Sequence, residues 1–240
     1  MTQRDTLYST PRPAIDRFAF DEQVVDVFPD MIQRSVPGYA TIIAMTGILA
    51  GRYAQPHSRC YDLGCSLGAS SLSMAQHIDV EAVEIIGVDN SPAMIERCSE
   101  RAKQHSTPLT LRCESIQDTE LSKASVVVLN FTLQFVPEAD RAALLQRIGK
   151  AMQPGGILVL SEKIRFADPH LQELNTQLHH EFKRANGYSD MEIAQKRSAL
   201  EQVLIPETLD SHRQRLKGAG FASIDVWFQC FNFASLVAIK

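Results

Sequence analysis

The sequence predicts an α/β protein with a mostly parallel sheet of seven strands, the last of them antiparallel. Three observations carry this. From residue 60 onward, short apolar runs alternate with longer stretches of helical spacing. The runs are continuously apolar rather than alternating, as in strands covered on both faces. The final two, 222–230 and 231–239, are joined too tightly for a parallel crossover and must pair antiparallel.

Composition bounds the answer. The 240 residues are 45% hydrophobic and 22% charged, as in a soluble globular protein. A net charge of −4 argues against direct nucleic-acid binding, which usually needs a basic surface. Cys60, Cys65, Cys98, Cys113 and Cys230 are scattered without a C-x-x-C pair, as expected of reduced thiols in a cytoplasmic protein. There is no signal-peptide run and no apolar segment near the roughly 18 residues of a membrane span, so no membrane partner is expected.

Residues 1–16 are polar, contain Pro11 and Pro13, and are expected to be a loose arm. Phe18, Phe20, Val24, Val25, Val27 and Phe28 need covering, either by the main domain or by another subunit. Pro29 and Asp30 open a helical pattern that Pro37-Gly38 breaks, and a second helix runs from Tyr39 to about Ala54. This divides the chain into an arm with cap helices (1–55) and an α/β unit (56–240), one structural domain overall.

The α/β unit begins at Cys60-Tyr61-Asp62-Leu63, a buried strand that turns through Gly64 and Gly68 into a helix at 69–78. Strands follow at 84–88, 109–113, 124–129 and 157–160. Ser91 is an N-cap and Pro92 a first-turn residue for the helix after strand two. Pro154-Gly155-Gly156 ends the helix that opens at 137–140. Residues 166–206 break the alternation with a helical insert rich in Gln, Glu, Lys and His, interrupted at Gly187-Tyr188. Such inserts serve as lids or contact surfaces.

In open parallel sheets a ligand sits beyond the carboxyl ends of the strands. Those ends carry 62–68, Asp89-Asn90, Ser115-Ile116 and Asn130-Phe131-Thr132. The orphan N–H groups of a helix behind a glycine turn suit a polar ligand. Asp89 can accept two hydrogen bonds from a ribose diol; read alone, it could equally be a capping residue before Ser91-Pro92. Asp62 before Gly64 and Gly68, with Ser66 where a dinucleotide fold wants a middle glycine, resembles the acid-x-Gly-x-Gly-x-Gly signature of class I S-adenosylmethionine-dependent enzymes. That resemblance covers about 60–240 and implies a Rossmann-like class I methyltransferase fold.

Five runs resemble the carboxy-S-adenosyl-L-methionine synthase family more closely. They are 61–69, 88–91, 129–135, 195–198 and 227–233. The resemblance implies conversion of S-adenosyl-L-methionine and prephenate to carboxy-S-adenosyl-L-methionine and phenylpyruvate, with no metal. It also implies that a separate tRNA carboxymethyltransferase uses the product to build wobble uridine-5-oxyacetic acid. At matching positions, Gly64, Cys65 and Ser66 would meet the methionine part and the nucleoside. Asp89 and Asn90 would hold the ribose, Ser115 and Ile116 the adenine, and Asn130 would follow strand four as a contact. Tyr39, read from spacing as a core aromatic, would close the pocket. Ser115 stands where many relatives have Asp, and Ser66 where many have glycine; its hydroxyl is expected either to contact the ligand or to hold the backbone slightly off.

Arg197 would bind the product carboxylate, since a guanidinium matches that group with two charge-assisted bonds. Without the resemblance Arg197 reads as a solvated charge, as do Lys196 and Arg165; the adjacent His179 and His180 read as surface. The apolar 18–28 segment and the insert favour a homodimer. Two other readings stay open: a small-molecule methyltransferase and a non-catalytic nucleoside-binding adaptor.

Overall fold

The computed structural model describes residues 3–240. Strands β1 (Arg59–Leu63), β2 (Glu84–Asp89), β3 (Thr110–Cys113), β4 (Ala124–Asn130) and β5 (Met152–Lys163) are parallel. β7 (Phe233–Ile239) pairs antiparallel with both β5 and β6 (Ser223–Cys230). The order across the sheet is β3-β2-β1-β4-β5-β7-β6, so the chain reverses direction of growth between β1 and β4 and opens a crevice at their carboxyl ends.

Two apolar layers bury the sheet, which is why β4 reads as an unbroken apolar run: Val126, Val127, Val128 and Leu129 are all fully buried. One layer packs Leu144, Leu145 and Ile148 of α5 (Glu138–Ala151) and Leu216 of α8 (Leu209–Gly218) against Tyr61, Val127 and Leu158. The other sets Ala50 of α2 (Tyr39–Tyr53) and Met74 of α3 (Ala69–His77) on Cys60, Val126 and Val159. α4 (Pro92–Gln104) starts as expected, with Ser91 Oγ accepting the Met94 N–H at 3.3 Å.

Three expectations need correction. The first helix, α1, spans Glu22–Ser35 with Asp21 as N-cap, so Pro29 lies inside it rather than at its start. Proline in a helix interior removes one hydrogen bond and crowds the preceding turn, costing about 3 kcal/mol. Burial outweighs that cost: Val24, Val25, Val27, Phe28 and Met31 pack on Leu67 and Met94, which covers the apolar segment within its own chain. Pro29→Ala is therefore expected to stabilise the protein by about 1–2 kcal/mol, after discounting the looser unfolded chain. A thermal melt that falls instead would show that the kink is needed for this packing.

The arm is also not loose. Asp5 is buried and accepts the Tyr188 hydroxyl at 2.5 Å. Gln195 donates to the carbonyls of Tyr8 and Thr10 at 2.9 Å each and accepts the Arg12 N–H at 2.8 Å. The partners lie about 180 residues away in sequence, beyond the reach of local pattern. Third, Pro154-Gly155-Gly156 is not a separate turn but part of a long β5, with Gly155 at φ +77° and a register shift against β4.

The helical insert forms α6 (Pro169–Ala185) and α7 (Asp190–Leu200), separated at Gly187 and restarted by a Ser189–Glu192 capping box. Among the described residues no helix is long and apolar enough to cross a membrane.

Candidate functional site

The crevice at the β1/β4 switch point opens into a cavity of about 260 Å³. Its floor is the turn after β1. Gly64 sits at φ +81° and its N–H, with that of Cys65, donates to the Val88 carbonyl at 2.8 and 2.9 Å. A Cβ at Gly64 would lie 2.3 Å from Thr132 Oγ1, so this position needs glycine both for conformation and for space.

Asp89 ties the turn to β2. One carboxylate oxygen accepts the Ser66 N–H and the other the Ser91 N–H, each at 2.9 Å. Burial raises its pKa and the two N–H bonds oppose that rise. Each oxygen keeps a second lone pair for a ligand hydroxyl. Ser66 takes φ +49°, the conformation a glycine would supply, and its hydroxyl donates to Met94 Sδ at 3.3 Å. The hydroxyl is thus engaged below the turn.

Asp62 is buried, and one of its oxygens accepts both the Ser71 N–H at 2.9 Å and the Ser71 hydroxyl at 2.7 Å. It caps α3 from a distance, supplying the acceptor that Gly68 at the N-cap lacks. Burial pushes its carboxyl up to about 6 against those bonds.

The wall after β4 is rigidly held. Asn130 accepts the Ser161 hydroxyl at 2.6 Å and donates to Ser70 at 2.9 Å and Thr46 at 3.3 Å. Phe131 adopts φ +62°, a costly conformation for an aromatic residue. Its N–H donates to the Ser161 carbonyl at 2.7 Å, and its ring lies 6.3 Å from Tyr39 and 6.1 Å from Phe233.

Of the residues singled out in the sequence, Tyr39, Gly64, Cys65, Ser66, Asp89, Asn90, Ser115, Ile116 and Asn130 all line this cavity. The Ile116 N–H has no acceptor among the described residues and is free to serve a ligand. Arg197 is not among them. It is exposed on α7 and lines a separate groove with His180, Arg184 and Glu201. Its charge still reaches inward, where it helps to lower the pKa of Lys163 and Lys183.

Four further residues line the cavity: Lys163, Lys183, and His179 and Lys196, which by sequence alone read as surface and as a solvated charge. His179 is buried, with Nε2 at 2.8 Å from the Ser35 carbonyl and its ring 4.8 Å from that of Phe233. Burial, aided by Lys183 and Lys163, pushes its pKa down to about 2, so it is neutral. Two signals point to these positions. Lys163 ends strand five, where the strand-end rule applies, and Lys183 follows His179 at the i+4 spacing of one helix face.

The cavity can hold a nucleoside at its β1–β2 end, with ribose acceptors at Asp89, a free N–H at Ile116 and close backbone approach at Gly64. Its β5 end is cationic. Among the described residues no cluster of three His, Cys, Asp or Glu is placed to hold a metal ion.

Comparison with known proteins agrees with this geometry. A methyltransferase-domain family model matches residues 61–156. Human N-acetylserotonin methyltransferase, solved with S-adenosylmethionine, aligns with TM-score 0.58 and 18% identity over 91% of this chain and 55% of that one. Magnesium protoporphyrin IX methyltransferase from Synechocystis PCC 6803 aligns with TM-score 0.61 and 15% identity, covering 88% and 87%. These likenesses show the class I methyltransferase fold. A carboxy-S-adenosyl-L-methionine synthase of Trichlorobacter lovleyi is 61% identical with 100% of both chains covered. Those of Aliivibrio fischeri and Marinobacter nauticus are 58% and 61% identical, covering 100% and 98% of this chain and 100% and 95% of theirs. By identity along its whole length, the chain belongs to the carboxy-S-adenosyl-L-methionine synthase family.

Proposed function

We propose that this protein converts S-adenosyl-L-methionine and prephenate to carboxy-S-adenosyl-L-methionine and phenylpyruvate, in the cytoplasm, and that a tRNA carboxymethyltransferase then uses the product for wobble uridine-5-oxyacetic acid. Full-length identity to synthases of that name carries this reading. The joining of a nucleoside-shaped end and a cationic end in one cavity supports it.

In this reading Gly64, Cys65 and Ser66 approach the methionine part and the nucleoside through backbone. Asp89 and Asn90 hold the ribose, Ser115 and Ile116 flank the adenine, and Asn130 and Tyr39 close the pocket around the sulfonium. The sulfonium methyl loses a proton to form an ylide, which captures the carbon dioxide leaving prephenate. Balancing the named substrates and products, the prephenate ring hydroxyl departs with that proton as water. The protein contributes mainly position and field. Burial of the Asn130–Ser161–Ser70 network keeps the wall still while charge moves beside it.

Arg197 binds the new carboxylate, and it does so across a homodimer. Its exposure outside the cavity of its own chain supports that arrangement. So does the apolar stripe of α6, where Leu171, Leu174 and Leu178 are exposed at the spacing of one helix face.

The test is to incubate the protein with S-adenosylmethionine, with and without prephenate. A mass gain of one carboxyl group only when prephenate is present is expected; methylated acceptor would sink the reading. Arg197→Ala is expected to leave S-adenosylmethionine binding unchanged and to weaken the carboxylated ligand by about 1.5–3 kcal/mol, the value of hydrogen bonds to a charged group. Equal weakening of both ligands in calorimetry would remove this role.

A further inference from the structure

The β5 end of the cavity carries a charge imbalance that nucleoside binding does not explain. Lys163 at the end of β5, Lys183 on α6 and Lys196 on α7 all line it, and the one carboxylate among the lining residues is Asp89. Asp89 ends β2, three strand positions from β5 and so about 14 Å away at ~4.8 Å per strand. Both of its oxygens already accept backbone N–H groups.

Lys183 is only 8% exposed, and neither it nor the partly buried Lys163 has an ion-pair partner among the described residues. Lys196 reaches the Asp5 carboxylate at 3.5 Å and the Ser35 hydroxyl at 3.1 Å, but Asp5 is shared with Tyr188. Burial lowers the pKa of all three, to about 7 for Lys183 and about 8 for Lys196. Neighbouring cations add to this for Lys163 and Lys183.

A buried ammonium without a counter-ion destabilises the fold. Lys183, with the partly buried Lys163 beside the same cavity, is left in that state here, and an anion bound between them would offset the cost. The surrounding faces are aromatic: Phe131, Phe233 and Tyr39 border the same space. Cations beside ring faces select a ligand that is doubly anionic at its edges and apolar in its body.

We infer that Lys163, Lys183 and Lys196 form the subsite for the second substrate, a small dicarboxylate carrying an unsaturated ring. This rests on the two-substrate reading above. It places that substrate against β5, α6 and α7, opposite the ribose. The helical insert thereby becomes the element that recognises the carboxyl donor.

The experiment uses the full chain loaded with S-adenosylhomocysteine and titrated calorimetrically with prephenate and, separately, with phenylsuccinate. Lys163→Met and Lys183→Met are each expected to raise the Kd for the dianion about 10- to 100-fold, as loss of a charge-assisted bond does. S-Adenosylhomocysteine affinity should stay unchanged. The ligand-free Lys183→Met variant should also melt higher than wild type, because an unpaired buried charge is gone; a lysine with a structural role would lower the melt instead. Unchanged dianion affinity in both variants, or equal loss for dianion and nucleoside, overturns the subsite. If phenylsuccinate binds wild type and is lost in the variants while prephenate never binds, the subsite stands and the choice of prephenate falls. If prephenate turns over with an unchanged KM in both variants, the subsite falls and the activity stands.

Discussion

Gly64→Ala is expected to abolish measurable binding of S-adenosylmethionine, a loss of more than about 100-fold, while leaving the sheet folded. Two costs combine. A residue with a Cβ pays about 1–2 kcal/mol to hold the left-handed backbone at φ +81°. The new methyl would also stand 2.3 Å from Thr132 Oγ1 and 2.4 Å from Thr132 Cγ2. Neither side can yield easily. The Gly64 and Cys65 amides are bound to Val88, and Thr132 follows the strained Phe131 in a wall fixed by Ser161. The turn must therefore shift, and the Ser66–Asp89 bond that shapes the ribose end shifts with it. Calorimetry with S-adenosylmethionine, beside circular dichroism for fold, reads the result. Adding Thr132→Gly to Gly64→Ala removes the clash but not the backbone strain, so binding should recover in part. A single variant that binds within a few-fold of wild type would show that the turn has more room than its contacts imply.

The residues legible in the sequence share one local rule: they follow the carboxyl end of a parallel strand. Gly64, Asp89, Asn90, Ser115, Ile116 and Asn130 obey it, and the structure gathers them around one cavity. The strands were legible for a related reason, since continuous apolar runs between glycine and proline breaks leave little alternative in a chain of this length. What escaped were features created by long-range contact. The arm looked loose because the partner of its polar groups, Gln195, sits on the insert. Lys196 looked solvated because nothing local reveals that Asp5 and Ser35 enclose it. Pro29 looked like a helix start because local propensity favours that, and only packing on Leu67 and Met94 reverses it. Arg197 is the converse case. The role proposed for it rests on family resemblance, while its position in a single chain is outside the cavity. An oligomer can reconcile the two.

One wall of the cavity rests on a charge cluster that lies behind it rather than in its lining. Arg141 is fully buried and donates to the carbonyls of Val136 at 2.9 Å, Gln134 at 3.1 Å and Ile205 at 3.0 Å. It also pairs with Glu207 at 2.5 Å, which Arg215 meets from the other side. Beneath the same loop, Glu162 accepts the Leu133 and Gln134 N–H groups at 3.0 and 2.8 Å. Gln134, Phe135 and Val136 line the cavity, so Arg141 and Glu162 together fix one of its walls from behind.

Arg141→Met should therefore destabilise the protein by about 3–5 kcal/mol, since breaking a buried pair leaves partners uncompensated. In a chain of this size that lowers the melting temperature by roughly 10 °C. The loss should also depend on pH. Burial pushes the Glu162 carboxyl up to about 8, with Arg141 the first of the influences opposing that rise. A carboxyl raised above its unfolded value favours the protonated fold, so the stability it contributes declines as pH climbs from the ordinary range toward 8. Without Arg141 the folded value rises further and the decline continues to higher pH. The gap between wild type and Arg141→Met is thus expected to be larger at pH 8.5 than at pH 6, measured by melting at both. Arg141→Lys keeps the charge but not the fork of donors, and should fall between them. A melt within about 2 °C of wild type at both pH values would mean that the wall stands without this guanidinium. A large loss that is the same at both would assign Arg141 to the three carbonyls and Glu207 rather than to Glu162. Because Gln134 and Val136 border the cavity, S-adenosylmethionine affinity should weaken in step with stability across the series, linking a buried ion pair to the shape of a site it does not enter.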